Sequence, residues 1–275
     1  MNVRRIGVVK YLNTIPLIDG LSKVQGLTLL PAVPSRLCEE LGEGRVEVAL
    51  VSIVDAARRG FDLLDCGMIG CDGPTLTVRL FSGDAPGEID VVHADTDSHT
   101  SVALAQVILS RRYGRRVEVR AFDARELHAS GGHPRTLLMI GDKVVTDSPA
   151  AVRYPHQLDL GEEWHAMTGL PFVYAMWMCR RDLTDAQRED VAVVRALLDR
   201  QLRHNLTRLD RLIAERAPEF RWPPDLARHY LGDLLRFRVG ERELTSVRRF
   251  YDECVELGLM DRAAADRVGV FGSSS

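Results

Sequence analysis

Short apolar runs alternate with helical patterns along the first two thirds of this 275-residue chain, and this alternation constrains the fold more than any other feature. The runs lie at 4–9, 27–32, 46–51, 75–82, 89–94, 117–122, 136–140 and 171–178. Runs of this length between polar turns are typical of strands. Strands that alternate with helices build a mainly parallel sheet with helices on its faces. The sequence therefore predicts an α/β protein.

The chain from Thr184 onward is predicted to be nearly all helix. Thr184 and Gln187 have the spacing of a capping box, in which each side chain bonds the backbone of the other residue. Apolar residues then recur at the spacing of one helix face. They are Val191, Val194, Leu198 and Leu202, followed near the end by Leu244, Val247, Phe250, Cys254 and Leu257.

Two breaks in the pattern indicate two lobes. The turn at 83–87 and the return near 169–171 suggest that a middle segment is inserted into an outer one. The outer lobe is predicted to comprise residues 1–87 and 172–275, and the inner lobe residues 88–171. Two crossings between lobes make a hinge, and small molecules commonly bind in the cleft at such a boundary.

The net charge of −3 gives no basis for binding nucleic acid or an anionic membrane surface. An anionic ligand must then be held by local groups. The first apolar run is short and is broken by Lys10 and Asn13, unlike a signal peptide. No stretch approaches the roughly 20 apolar residues of a membrane span. We expect a cytoplasmic protein, either a monomer or a homodimer.

The cysteines predict neither a metal site nor disulfides. They are odd in number and irregularly spaced, at Cys38, Cys66, Cys71, Cys179 and Cys254. This pattern lacks zinc-ligand spacing, and the expected compartment disfavours disulfides. We expect reduced thiols in or near the core. The sequence also lacks a supported Ser-His-Asp order and a G-x-G-x-x-G fingerprint.

Four polar clusters follow predicted strands, where ligands bind in open α/β sheets. They are 11–17 with Asn13 and Thr14, then Ser52, then 97–101, and finally Gly141 with Asp142. Helix caps are the simpler interpretation of the first two clusters. The cluster 97–101 has more polar groups than one cap needs, and hydroxyls at a helix start suit a carboxylate. There His99 either faces solvent or contacts ligand, and Asp142 either orients a ligand hydroxyl or caps a turn.

Several motifs occur in a fixed order along residues 4–180. They are Arg5-Ile6-Gly7 with Tyr11-Leu12-Asn13-Thr14-Ile15-Pro16-Leu17, Val48-Ala49-Leu50-Val51-Ser52, Ser98-His99-Thr100-Ser101-Val102, Leu138-Met139-Ile140-Gly141-Asp142, Asp159-Leu160-Gly161-Glu162-Glu163-Trp164 and Thr168-Gly169-Leu170-Pro171-Phe172-Val173-Tyr174-Ala175. In this combination the chain resembles the chorismate dehydratases of the futalosine route of menaquinone biosynthesis. The resemblance is loose in the helical tail.

The resemblance implies a two-lobed α/β fold like the type II periplasmic binding proteins, with a ligand cleft between the lobes. It implies dehydration of chorismate to 3-[(1-carboxyvinyl)oxy]benzoate without a metal or an organic cofactor. The chain departs from the family pattern at Thr75 and Thr77, where smaller or Ser-type residues are expected.

We assign roles to individual residues as a hypothesis about the mechanism. Asn13 and Thr14 are the predicted catalytic residues at the reacting ring, with Asn13 orienting or stabilising rather than abstracting a proton. Thr100 and Ser101 are predicted to bind one carboxylate and Ser52 the other. The predicted substrate-binding set also includes Tyr11, Ser98, Asp142 and Phe172. The base is left open between the substrate's own side-chain carboxylate and Asp142.

A non-catalytic binding protein or sensor for an aromatic or carboxylate metabolite is the alternative. A secreted receptor should carry a signal peptide or lipobox, and a regulatory sensor should carry a DNA-binding module. Because the sequence shows neither, we expect the enzyme.

Overall fold

Eleven strands form two sheets in the residues that the computed structural model describes, which are 4–95, 99–122 and 134–272. The strands are β1 Arg4–Val8, β2 Leu27–Pro31, β3 Val48–Ser52, β4 Phe61–Cys71, β5 Val78–Ser82, β6 Val91–Asp95, β7 Glu118–Phe122, β8 Thr136–Ile140, β9 His156–Asp159, β10 Phe172–Arg180 and β11 Leu235–Arg236. The first sheet has the order β11-β4-β10-β3-β1-β2, and the second has the order β7-β6-β8-β5-β9. Each of the eight predicted runs overlaps one of these strands.

Helices cover the sheets and build the tail. They are α1 Ile15–Ile18, α2 Pro34–Gly42, α3 Ile53–Arg59, α4 His99–Tyr113, α5 Lys143–Thr146, α6 Leu160–Thr168, α7 Asp185–Leu206, α8 Leu209–Arg216, α9 Pro224–Arg228, α10 Glu241–Glu256 and α11 Arg262–Asp266, with a π-helical turn at His229–Leu234. Among the described residues, none of these helices has the length and apolar character needed to cross a bilayer.

Both sheets are mixed, so the prediction of a mainly parallel sheet was wrong. Strand β1 runs parallel to β2 and β3, but β10 runs antiparallel to β3 and β4. The second sheet likewise combines parallel pairs at β6 with antiparallel pairs at β5. The reason is that β10 begins with Phe172 opposite Cys71, the last residue of β4, and therefore runs back along it.

The chain passes from the first sheet to the second between Cys71 and Val78 and returns between Asp159 and Phe172. Strand β5, which lies within the segment 1–87 assigned to the outer lobe, pairs with β8 and β9 in the second sheet. The lobe boundaries at 87/88 and 171/172 remain a prediction.

Asp159 ties the two crossings together. Its carboxylate accepts hydrogen bonds from the backbone N–H groups of Thr75 (2.9 Å) and Leu76 (2.7 Å) in the first crossing. It also accepts from Gly161 and Glu162 at the start of α6, as an N-cap. One buried carboxylate thus fixes the geometry of both connections between the sheets.

The predicted helical tail is confirmed in its main features. Helix α7 begins with the capping box of Thr184 and Gln187, and its predicted apolar face is buried. In α10, Val247, Phe250 and Cys254 are buried as the spacing predicted. The five cysteines are buried free thiols, as expected.

Candidate functional site

A cleft lies between the two sheets and receives residues from both. Its free space, including the open mouth, is about 670 Å³. The polar lining residues are Tyr11, Asn13, Thr14, Ser52, Thr75, Thr77, Ser101, Tyr174 and Tyr230, and the apolar ones include Val9, Leu50, Ile69, Val78, Ile140, Ala175 and Leu235. Among the described residues, the lining contains hydroxyls and one side-chain amide but no side chain that is charged at neutral pH.

The turn after β1 carries the two predicted catalytic residues into the cleft. A 3₁₀ turn spans Leu12–Thr14, and Tyr11 lines the cleft just before it. The Thr14 hydroxyl oxygen lies 2.9 Å from the carbonyl oxygen of Val9 and 2.8 Å from that of Tyr11. Because its proton is donated to this carbonyl pair, the Thr14 side chain holds the shape of the turn.

Asn13 presents a hydrogen-bond acceptor without a protein partner. Its amide nitrogen Nδ2 donates to the Tyr230 hydroxyl at 3.4 Å. Its carbonyl oxygen Oδ1 is buried and accepts no hydrogen bond. An unsatisfied buried acceptor costs about 1–3 kcal/mol, so an Asn13 oxygen in this position favours a ligand that donates a hydrogen bond.

Ser52 and Ser101 approach the cleft from different elements. Ser52 is the last residue of β3 and is buried, and Ser101 lies in the first turn of α4. Both line the cleft, and their role in substrate binding stays a prediction. Ser98 lies outside the described residues.

Thr100 and His99 face α3 instead of the cleft lining. The Thr100 hydroxyl is fully buried and accepts a hydrogen bond from the Val54 N–H at 3.4 Å. His99 Nδ1 lies 2.8 Å from the carboxylate of Asp55. These contacts join the N-terminal turns of α3 and α4.

Asp142 lies just behind the cleft wall, next to the lining residue Gly141, whose positive φ of 68° suits glycine. Asp142 Oδ2 accepts from the Leu12 N–H at 3.3 Å, and Oδ1 accepts from the indole N–H of Trp222 at 3.0 Å. Burial raises the pKa of the Asp142 carboxyl, and these two donors partly offset the rise. Asp142 therefore joins the first turn of the chain to the tail.

Phe172 lies in an aromatic cluster of the core. Its ring centroid is 5.3 Å from that of Trp164, 4.7 Å from that of Tyr174 and 5.0 Å from that of Phe250. It is not among the residues that line the cleft. Phe172 packs edge-on against Tyr174, and Tyr174 does line the cleft.

Two residues of this site were not predicted from the sequence: Tyr230, which lines the cleft, and Trp222, which stacks on it. Tyr230 lies in the π-helical turn of the tail, and its hydroxyl is 2.7 Å from the Thr77 hydroxyl. Trp222 stacks on it with ring centroids 4.9 Å apart. Neither residue follows a recognisable motif, although a π-helical turn is frequent at functional sites.

The two mixed sheets, the double crossing and the cleft between them define a protein with the fold of type II periplasmic binding proteins. This confirms the predicted fold class. The periplasmic aliphatic sulphonate binding protein of Escherichia coli has the same fold, with a TM-score of 0.65, 14% identity, and coverage of 99% of this chain and 94% of that one.

The chain belongs to the menaquinone biosynthesis family, whose model matches residues 4–256. A chorismate dehydratase of Thermus thermophilus is 30% identical over 262 residues, covering 89% of this chain and 93% of the relative. A chorismate dehydratase of Campylobacter jejuni is 25% identical over 265 residues, covering 92% and 98%.

Proposed function

We propose that this protein is a lyase that dehydrates chorismate to 3-[(1-carboxyvinyl)oxy]benzoate. Membership of the menaquinone biosynthesis family and the names of both relatives support this substrate. The observation that carries the proposal is the convergence of Asn13, Ser52, Thr77 and Ser101 on one neutral, hydroxyl-rich cleft. Such a lining suits a ligand with several oxygen atoms.

The protein has to contribute little to the driving force of the reaction. One ring C–H bond and the neighbouring C–OH bond break, and the proton and the hydroxide leave as one water. The ring becomes aromatic, so the substrate itself supplies the driving force. The protein has to hold the substrate in a reactive geometry and to stabilise charge that develops during the reaction.

Neutral donors would bind the two carboxylates of chorismate. Ser101 lies at the start of the 15-residue helix α4, where first-turn N–H groups lack intrahelical partners and the dipole favours an anion. Ser52 would serve the second carboxylate from the end of β3. Thr100, whose hydroxyl is bonded to Val54, would fix the start of α4 rather than line the pocket.

The substrate's side-chain carboxylate is the favoured base. Among the described residues, the cleft lining contains no carboxylate or imidazole. Both carboxylate oxygens of Asp142 already accept hydrogen bonds from Leu12 and Trp222. Asn13 would orient the reacting ring through its unpartnered oxygen, because an amide is too weak a base to take the ring proton.

The test is to incubate the purified protein with chorismate in the presence of a metal chelator and to follow products by chromatography and mass. We expect a product lighter by one water. Asn13→Ala should lower kcat by about 100-fold, whereas Ser52→Ala, the matched binding-site control, should mainly raise KM. Chorismate that binds without being changed would favour the non-catalytic binding protein. Absence of binding would refute chorismate as the ligand.

A further inference from the structure

Three distant segments of the chain meet at the hydroxyl group of Tyr230. Asn13, from the turn after β1, donates to this oxygen at 3.4 Å, and the Thr77 hydroxyl, from the first crossing, lies 2.7 Å away. Tyr230 itself belongs to the tail and is 1% exposed. All three residues line the cleft, so the hydroxyl network is part of the cleft wall.

The chemistry of the side chains fixes the direction of the hydrogen bond from Asn13 to Tyr230. The amide Nδ2 of Asn13 can only donate, so the phenol oxygen of Tyr230 accepts from it. Between Tyr230 and Thr77 either hydroxyl can donate, and we take the phenol of Tyr230 as the donor because it is the more acidic of the two hydroxyls. Burial raises the pKa of Tyr230, which keeps the phenol protonated as a donor.

Two complementary groups therefore remain for a ligand. With Tyr230 as the donor, Thr77 accepts and its own proton is left to donate. Asn13 Oδ1 is buried and accepts nothing from the protein. A hydroxyl group both donates and accepts, whereas a carboxylate or a ketone only accepts. The pair of Asn13 and Thr77 thus matches a hydroxyl.

The surroundings hold Tyr230 in one orientation. Its ring stacks on Trp222 at an interplanar angle of 14°. The indole N–H of Trp222 donates to Asp142 at 3.0 Å, and Asp142 also accepts from the backbone of Leu12, next to Asn13. The tail and the first turn are therefore fixed relative to each other on both sides of the hydroxyl network.

We propose that Tyr230 is a positioning residue that makes Asn13 and Thr77 a selective receptor for a hydroxyl group of the ligand. This inference rests on the proposed function, under which that group is the ring hydroxyl that leaves as water. The product lacks this hydroxyl, so it offers a direct comparison.

The test measures kcat/KM for chorismate and the competitive inhibition constant of 3-[(1-carboxyvinyl)oxy]benzoate. In Tyr230→Phe, kcat/KM should fall by about 10- to 100-fold, because Asn13 and Thr77 are no longer oriented to bind the hydroxyl group of the substrate. The inhibition constant of the product should change by less than about threefold. Ser52→Ala, the control at a predicted carboxylate contact, should lower kcat/KM for chorismate and also raise the inhibition constant of the product.

A second pair of variants separates this role from a merely structural one. Thr77→Val should reproduce the selective loss, and Thr77→Ser, which keeps the hydroxyl, should restore most of kcat/KM. If Tyr230→Phe fails to fold, as judged by circular dichroism, the Thr77 pair decides the question.

Equal losses for substrate and product, or no loss at all, would overturn the inference. If the wild-type protein leaves chorismate unchanged, the proposed function fails instead. The two failures are therefore distinguishable.

Discussion

At the scale of single residues, Asp142 shows how a carboxylate can serve a site without entering it. The sequence left three roles open for it: a cap, a partner for a ligand hydroxyl, or a base. In the structure its two oxygens accept from Leu12 and Trp222, and so it positions the turn that carries Asn13. This one side chain therefore holds Leu12, next to the lining residue Asn13, and Trp222, which stacks on the lining residue Tyr230.

Asp142→Asn should lower kcat/KM by about 10- to 100-fold, because an amide supplies one acceptor where two N–H groups need one each. In the wild type, kcat/KM should fall as the pH drops through the raised pKa of Asp142, since the protonated carboxyl loses acceptor capacity. Above that pKa the profile should be level, and in the variant it should be low and flat across the same window.

The measurement is a pH profile of kcat/KM for both proteins. Asp147→Asn, which changes an exposed carboxylate in the same stretch, is the control and should match the wild type. Full activity of Asp142→Asn would exclude Asp142 both as a positioning group and as the base.

At the scale of elements, local pattern predicted the strands and helices that have regular apolar periodicity. Strand β4 was missed because Asp62, Asp65, Gly67 and Gly70 interrupt its apolar pattern. The two aspartates form ion pairs with arginines, one of them Arg195 on α7. By contrast, the start of α7 was predicted because a capping box is a local interaction.

Thr184→Ala should lower the free energy of unfolding by about 1 kcal/mol, the usual cost of removing an N-cap side chain. Activity should be unchanged, because the residues of α7 do not line the cleft. Urea denaturation measures the change, and Thr184→Ser, which preserves the capping hydroxyl, should behave like the wild type. A loss of activity without a loss of stability would contradict this assignment.

At the scale of the whole molecule, contacts between the two sheets surround the cleft. Thr100 bonds the backbone of Val54, Asp142 bonds that of Leu12, and Tyr230 bonds Thr77. An apolar core also continues from the first sheet into α4 and the second sheet. These contacts flank the cleft, and the hinge motion of the lobes about the two crossings stays a prediction.

The net charge of −3 and the neutral lining predict weak salt dependence. Raising the salt concentration from about 50 to about 500 mM should change kcat/KM for chorismate by less than about threefold, because no strong field steers the anion. Any change should be a small increase, as salt screens the repulsion between two anions. A steep fall in initial rates with salt would show that charged side chains hold the substrate.

The sequence by itself determined eight of the eleven described strands, the helical character of the tail with the capped start of α7, and the polar clusters at strand ends that include Asn13, Ser52 and Ser101. These features depend on periodicity and on hydrogen bonds between near neighbours, and both can be recognised in a short stretch of sequence. Only the tertiary structure decided that Thr100 faces α3, that Phe172 packs in the core, and that Tyr230 meets Asn13 across 217 positions of the chain. Such contacts arise when β10 re-enters the first sheet and the tail returns to the cleft, and no local pattern encodes which distant residues that packing brings together.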